Sequence, residues 1–165
     1  MITIYVEDFN GEVSQRSYDD IICSLDFNTL ICPCCRHCGF VVHGYYFRHI
    51  INKTGKEKLR ILRLRCSCCR KTHAVLLSFI IPYSSVVLKD QIRIVLKRDL
   101  ESLMIEKPQI DESCIRRITH NYMRFFKERM ASFRFSFEDD VVKKCFEHFG
   151  INFNQIRRGS NILLC

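Results

Sequence analysis

Seven of the eleven cysteines in this 165-residue chain fall in two short clusters, and no other feature restricts the fold as tightly. The first cluster reads Cys32-Pro33-Cys34-Cys35-Arg36-His37-Cys38-Gly39, the second Cys66-Ser67-Cys68-Cys69-Arg70-Lys71. Each contains a Cys-x-x-Cys pair. Two Cys three positions apart in a tight turn can direct both thiolates at one ion about 2.3 Å away. Backbone N–H groups in the same turn are available to hydrogen-bond the sulfurs. The odd cysteine count, together with a first segment (Met1–Asp8) that does not read as a signal peptide, favours metal ligation over a disulfide scaffold.

The residues between the clusters predict strand, turn, strand. Tyr45-Tyr46-Phe47 is aromatic and β-prone, Asn52 to Lys56 is a turn, and Leu59 to Leu64 mixes aliphatic residues with Arg. In an extended chain Arg63 and Arg65 share one face, and Leu62 and Leu64 the other. Such a hairpin brings the second pair alongside the first, and four thiolates then close a tetrahedral shell around one structural Zn2+. The preferred ligands are Cys32, Cys35, Cys66 and Cys69, with Cys38 as the alternative in a Cys35/Cys38 register. Cys34, Cys38, Cys68 and His37 are then spares, the thiols expected as small buried hydrophobes. A thioredoxin-like redox site fits less well, because two clusters flank a hairpin instead of one standing at a strand-to-helix junction. No His-x-Glu or His-Glu-x-x-His pattern accompanies His37, His43, His49 and His73, so these read as surface residues or as partners of the ligands, and no catalytic site is expected. Cys23, Cys114, Cys145 and Cys165 read as core or tail residues.

Composition narrows the function class. With 47% hydrophobic residues the chain is not a disordered tail. Its longest apolar run, Ala74 to Ile81, is about half a membrane span, so the expectation is a cytoplasmic protein without a membrane partner. The net charge of +8 is segregated. The stretch up to Ile31 is acidic, whereas Arg48, Lys53, Lys56, Lys58, Arg60, Arg63, Arg65, Arg70 and Lys71 face only Glu57 in the hairpin region. Segregation of this kind suits a polyanion, although a solvated basic face carries the same charges.

Beyond Pro82 the pattern becomes helical. Leu88, Ile92, Val95, Leu96, Leu100 and Leu103 recur at helical spacing, predicting a helix from Leu88 to Leu103. A second begins near Asp111 with Ile115, Ile118, Tyr122 and Phe125 inward, and Arg116, His120, Asn121, Arg124 and Lys127 around the remaining surface. A third runs from Asp140 to Phe149, capped by Asp139 and stopped at Gly150, and Phe133, Phe135 and Phe137 alternate before it as core residues. Asp19 to Leu25 reads as a helical turn or two capped by Asp19 or Asp20.

Three stretches carry a resemblance. Cys32-Pro33-Cys34-Cys35, Val41 to Arg48 (with His43-Gly44), and Leu64-Arg65-Cys66-Ser67-Cys68-Cys69-Arg70-Lys71-Thr72-His73 resemble the zinc ribbon at the front of bacterial insertion-sequence transposases. The chain departs from that pattern in His73, where an aromatic is usual, and in the extra Cys34, Cys38 and Cys68. Phe79 to Ser84 looks like the linker after such ribbons, and Glu112 to Arg129 is similar to the recognition helix of their helix-turn-helix. The resemblance covers roughly Ile31 to Arg129, and the nearest match is a set of short, stand-alone transposase-like bacterial proteins of unknown function. It implies one structural Zn2+, a bacterial cytoplasmic setting, and double-stranded DNA as partner. Phosphate contacts would come from the basic hairpin, and major-groove contacts from Arg116, Arg117, His120, Asn121 and Arg124. The ribonuclease-H-like catalytic domain of transposases needs on the order of 100 residues, and about 30 follow the helices here.

The resulting expectation is an α+β chain, a small N-terminal β/zinc-ribbon module followed by an all-α, helix-turn-helix-like region. Its parts are an acidic strand/helix segment (1–30), a zinc ribbon (31–82), a helical region (83–150) and a tail (151–165). The expected function is zinc-dependent DNA binding without enzymatic activity. The alternatives are a zinc-stabilised adaptor for a protein partner or homodimer, and RNA binding through Tyr45, Tyr46 and Phe47.

Overall fold

The computed structural model describes residues 1–7, 11–131, 141–155 and 161–163. In chain order the elements are β1 (Ile2–Ile4), α1 (Gln15–Cys23), β2 (Phe40–Asn52), β3 (Gly55–Cys66), β4 (Thr72–Leu77), α2 (Leu88–Val95), α3 (Leu100–Glu106), α4 (Glu112–Phe125), α5 (Val141–Phe149) and β5 (Asn161–Leu163). A π-helical turn, Phe126–Met130, continues α4. The expected Phe133, Phe135 and Phe137 core residues, the Asp139 cap, Asp140, Cys165 and the basic pair Arg157-Arg158 lie outside the described residues.

The hairpin forms where the sequence places it. β2 and β3 pair antiparallel from Phe40↔Cys66 to Asn52↔Gly55, which brings the two cysteine clusters together at one end. A bulge between Val42 and Gly44 inserts His43, and Gly44 takes φ +141°, a conformation open to glycine and costly for other residues. Along β3, Leu59, Ile61, Leu62 and Leu64 are buried while Arg60, Arg63 and Arg65 are exposed.

The modular reading of the fold is overturned. The strands form one five-stranded sheet in the order β2-β3-β4-β1-β5, and both chain ends enter it. β1 runs parallel to β4 (Ile2↔Val75, Ile4↔Leu77) and to β5 (Ile2↔Asn161, Ile4↔Leu163). The sheet is therefore the centre of a mixed α+β architecture and not an N-terminal appendage to a helical domain. The physical reason lies in β1 and the second half of β4. Ile2, Ile4, Val75, Leu76 and Leu77 are all buried, and such continuous apolar runs need cover on both faces.

Two helix expectations also change. The stretch predicted as one helix from Leu88 to Leu103 is two, because Lys97 and Asp99 adopt positive φ (53° and 47°) and reverse the chain between α2 and α3. The first helix starts earlier than Asp19, with Ser14 as its N-cap and a capping box closed by Ser17.

Buried apolar side chains form three groups. The first unites β1, α1 and the hairpin with Cys32, Phe40 and Cys66 of the metal-ligand end. The second gathers Phe125, Met130, Cys145, Phe146 and Phe153, and the third Ile51, Val86, Ile94, Leu103, Ile110 and Ile118. Leu88 touches the first two groups and Val95 the last two. The hairpin tip is docked and not free. Ile51 N–H donates to the Ser85 carbonyl (2.9 Å), Asn52 Nδ2 to the Val13 carbonyl (2.6 Å), and Lys53 pairs with Glu106 (3.6 Å).

Candidate metal centre

The two clusters fold into matching knuckles. In the first, Arg36 N–H donates to Cys32 O (2.9 Å) and Cys32 N–H to His37 O (2.8 Å). In the second, Arg70 N–H donates to Cys66 O (3.1 Å) and Cys66 N–H to Lys71 O (3.0 Å). Both turns pass through a left-handed Arg, Arg36 at φ +63° and Arg70 at φ +62°. Gly39 fixes their spacing. Its carbonyl accepts from Ser67 N–H (3.3 Å) and Ser67 Oγ (3.0 Å), and a Cβ at this position would meet Ser67 Oγ at 3.3 Å.

The knuckles bring the Sγ atoms of Cys32, Cys35, Cys66 and Cys69 within 4.8 Å of one another. Cys32 and Cys69 sulfurs stand 3.6 Å apart, as do those of Cys35 and Cys66. A disulfide would need about 2.05 Å. Four sulfurs at about 2.3 Å from a tetrahedral centre lie roughly 3.8 Å from each other, so the spacing fits a four-coordinate ion. Cys38, the alternative ligand, is exposed and outside this group. Cys34 and Cys68 are exposed too, which corrects the expectation that the spare thiols are buried. The reason is geometric: with positions one and four of each knuckle turned inward, the intervening residue points out.

Crowding and burial pull the thiols of Cys32, Cys35 and Cys69 in different directions. The His37 backbone N–H lowers the Cys35 thiol to about 6, against the burial that opposes it. Cys69 receives the Lys71 N–H, yet burial and the sulfurs of Cys35, Cys32 and Cys66 push it up to about 12. Burial likewise raises Cys32. A divalent cation removes this conflict by favouring all four thiolates at once.

Residues 32–118 match a family described as a domain of unknown function, DUF6431. The chain belongs to this family. No curated protein matches it, and no solved structure does. The DUF6431 span begins on Cys32, contains the other three cysteines of the cluster, and ends at Ile118 within α4.

For His73 the sequence offers two readings, a surface residue or a partner of the cysteines, and the structure supports the second. His73 is buried on β4, its Nε2 3.5 Å from Cys32 Sγ and its Nδ1 3.1 Å from the Met1 nitrogen. A nitrogen donor at Nδ1 leaves the ring proton on Nε2, so the imidazole donates to the Cys32 sulfur and supports it from outside the ligand shell. Burial pushes His73 down to about 4, so the ring is neutral at neutral pH. Phe40 meets it edge-on at 5.8 Å.

The basic residues do not share one surface. Lys56, Lys58 and Arg60 are exposed beside Tyr45, Phe47 and His49, with Lys58 Nζ 4.0 Å over the Phe47 ring and Arg60 4.8 Å over Tyr45. Arg63 and Arg65 emerge from the opposite face of β3, and Arg70 and Lys71 are exposed on the second knuckle. Arg48 is not available to a phosphate, because its guanidinium donates to the Ile81 and Ser84 carbonyls and fastens that loop to β2. On α4, Arg117, Asn121 and Arg124 line a cleft of about 510 Å³ with Tyr83 and Ser84, whereas Arg116 and His120 are exposed away from it. Arg124 also pairs with Glu128 (2.7 Å). Among the described residues no helix is long and apolar enough to cross a membrane.

Proposed function

We propose that this chain is a structural-zinc protein that binds duplex DNA through its hairpin, a transposase-like nucleic-acid-binding unit acting without catalysis of its own. An all-thiolate donor set suits Zn2+ best, and the near-tetrahedral sulfur spacing leaves no open position for substrate. The observation that carries the nucleic-acid reading is the ribbon itself. β2 and β3 are held at one end by the knuckles and at the other by the docking of Ile51 and Asn52, and between them Lys56, Lys58 and Arg60 stand exposed. Cations fixed on a rigid scaffold lose little entropy on meeting phosphates. The resemblance to insertion-sequence ribbons supports the same reading. Single-stranded RNA is the second reading, favoured by the 52% and 60% exposure of Tyr45 and Phe47, which suits stacking on unpaired bases.

Fluorescence anisotropy at several salt concentrations, with duplex DNA competing against single-stranded RNA, tests both. Duplex preference with a steep salt dependence is expected, and the double variant Lys58→Ala/Arg60→Ala should reduce the slope of log K against log salt by about two phosphates' worth. Affinity indifferent to both salt and this variant would sink the proposal, and preference for the RNA would move it to the second reading.

A further inference from the structure

Three soft donors gather at the rim of the inner four sulfurs. The Sγ of Cys35, the Sγ of Cys68 and a ring nitrogen of His37 lie within 4.8 Å of one another. Cys68 and His37 are exposed, and Cys35 is half-buried at the boundary between this group and the inner four. A second outer group, Cys32, Cys34 and His73, has similar spacing. Its imidazole is committed, however, with Nδ1 on the Met1 nitrogen, Nε2 on the Cys32 sulfur and the ring buried. The His37 group carries no such commitment on its ring, and it opens to solvent.

We propose that Cys35, His37 and Cys68 hold a second Zn2+, with the Cys35 thiolate bridging the two ions and water completing the outer shell. This rests on the structural-zinc reading of the inner site. A thiolate sulfur has lone pairs enough for two cations, and cysteine with imidazole is a donor set that selects Zn2+ over hard cations. Charge favours the step: four thiolates around one Zn2+ carry two negative charges, and adding Zn2+ with one further thiolate leaves one. The Cys68 thiol releases its proton to water as it binds, so occupancy falls with acid. With two exposed ligands and a water, the outer ion exchanges faster than the inner one.

The test is cadmium NMR on the full chain after replacing zinc with a spin-active cadmium isotope in excess. The expected spectrum holds two resonances split by coupling through the shared sulfur. Cys68→Ser and His37→Gln should each leave one resonance, unsplit, in a protein whose circular dichroism is unchanged. One resonance in the unaltered chain overturns the outer site and leaves the inner one standing. Two resonances that survive both variants overturn the ligand assignment. No thiolate-bound cadmium at all overturns the structural-zinc reading itself.

Discussion

At the scale of single residues, the most consequential pair outside the metal centre is Asp90 with Lys107. Their charged atoms meet at 2.7 Å with both side chains almost wholly buried, between the start of α2 and the end of α3. Removing one partner strands the other charge away from water. Lys107→Met is therefore expected to cost about 3–5 kcal/mol in urea denaturation, with much of that loss recovered in the double variant Asp90→Leu/Lys107→Met. A single variant as stable as the parent would show that the stranded carboxylate is not confined as it stands here. None of this could be read from the sequence, because nothing local links Lys107 to a residue on another helix. The cysteine ligands are the opposite case. Their three-residue spacing encodes a turn whose geometry is local, so Cys32, Cys35, Cys66 and Cys69 could be chosen before any fold was known. His73 lies between these cases: its type was conspicuous, but its role depends on β4 lying beneath the first knuckle.

At the scale of elements, the hairpin and the helix beginning near Asp111 were legible, and the break between α2 and α3 and the pairing of β1 were not. Alternating Arg and Leu reports a half-buried strand directly. The break between α2 and α3 is silent, because no Gly or Pro interrupts Leu88 to Leu103 and the turn is made by Lys97 and Asp99 in left-handed conformations. The junction of β3 and β4 shows how elements are tied across such gaps. Their ladder ends at Arg63↔Ala74, and at the next step Tyr18 of α1 inserts its hydroxyl, accepting from Leu62 N–H (3.0 Å) and donating to the Val75 carbonyl (2.8 Å). One buried phenol thus replaces a missing strand-to-strand bond. Tyr18→Phe should leave both backbone groups unsatisfied and cost about 1–3 kcal/mol. Hydrogen exchange at the Leu62 amide should accelerate in the variant, and an unchanged rate would contradict the arrangement.

At the scale of the whole molecule, the four-cysteine cluster and the sheet share one interior. Cys32, Cys66 and Phe40 pack in the same buried group as Ile2, Ile4 and Tyr18. Metal removal is accordingly expected to lower a single thermal transition of the whole chain, measured by calorimetry with and without a strong chelator. Two separate transitions, one sensitive to chelator and one not, would indicate an autonomous ribbon instead. The sequence suggested such autonomy because composition changes at Pro82, and composition says nothing about which distant strands pair. The position of β1 carries a further consequence for how the protein is made. Ile2 pairs with Val75 on one side and with Asn161 on the other, so β1 can be flanked by β4 well before β5 closes its second edge. Until that closure the free edge of β1 is a template on which a second copy could pair, so partly folded chains should self-associate through it.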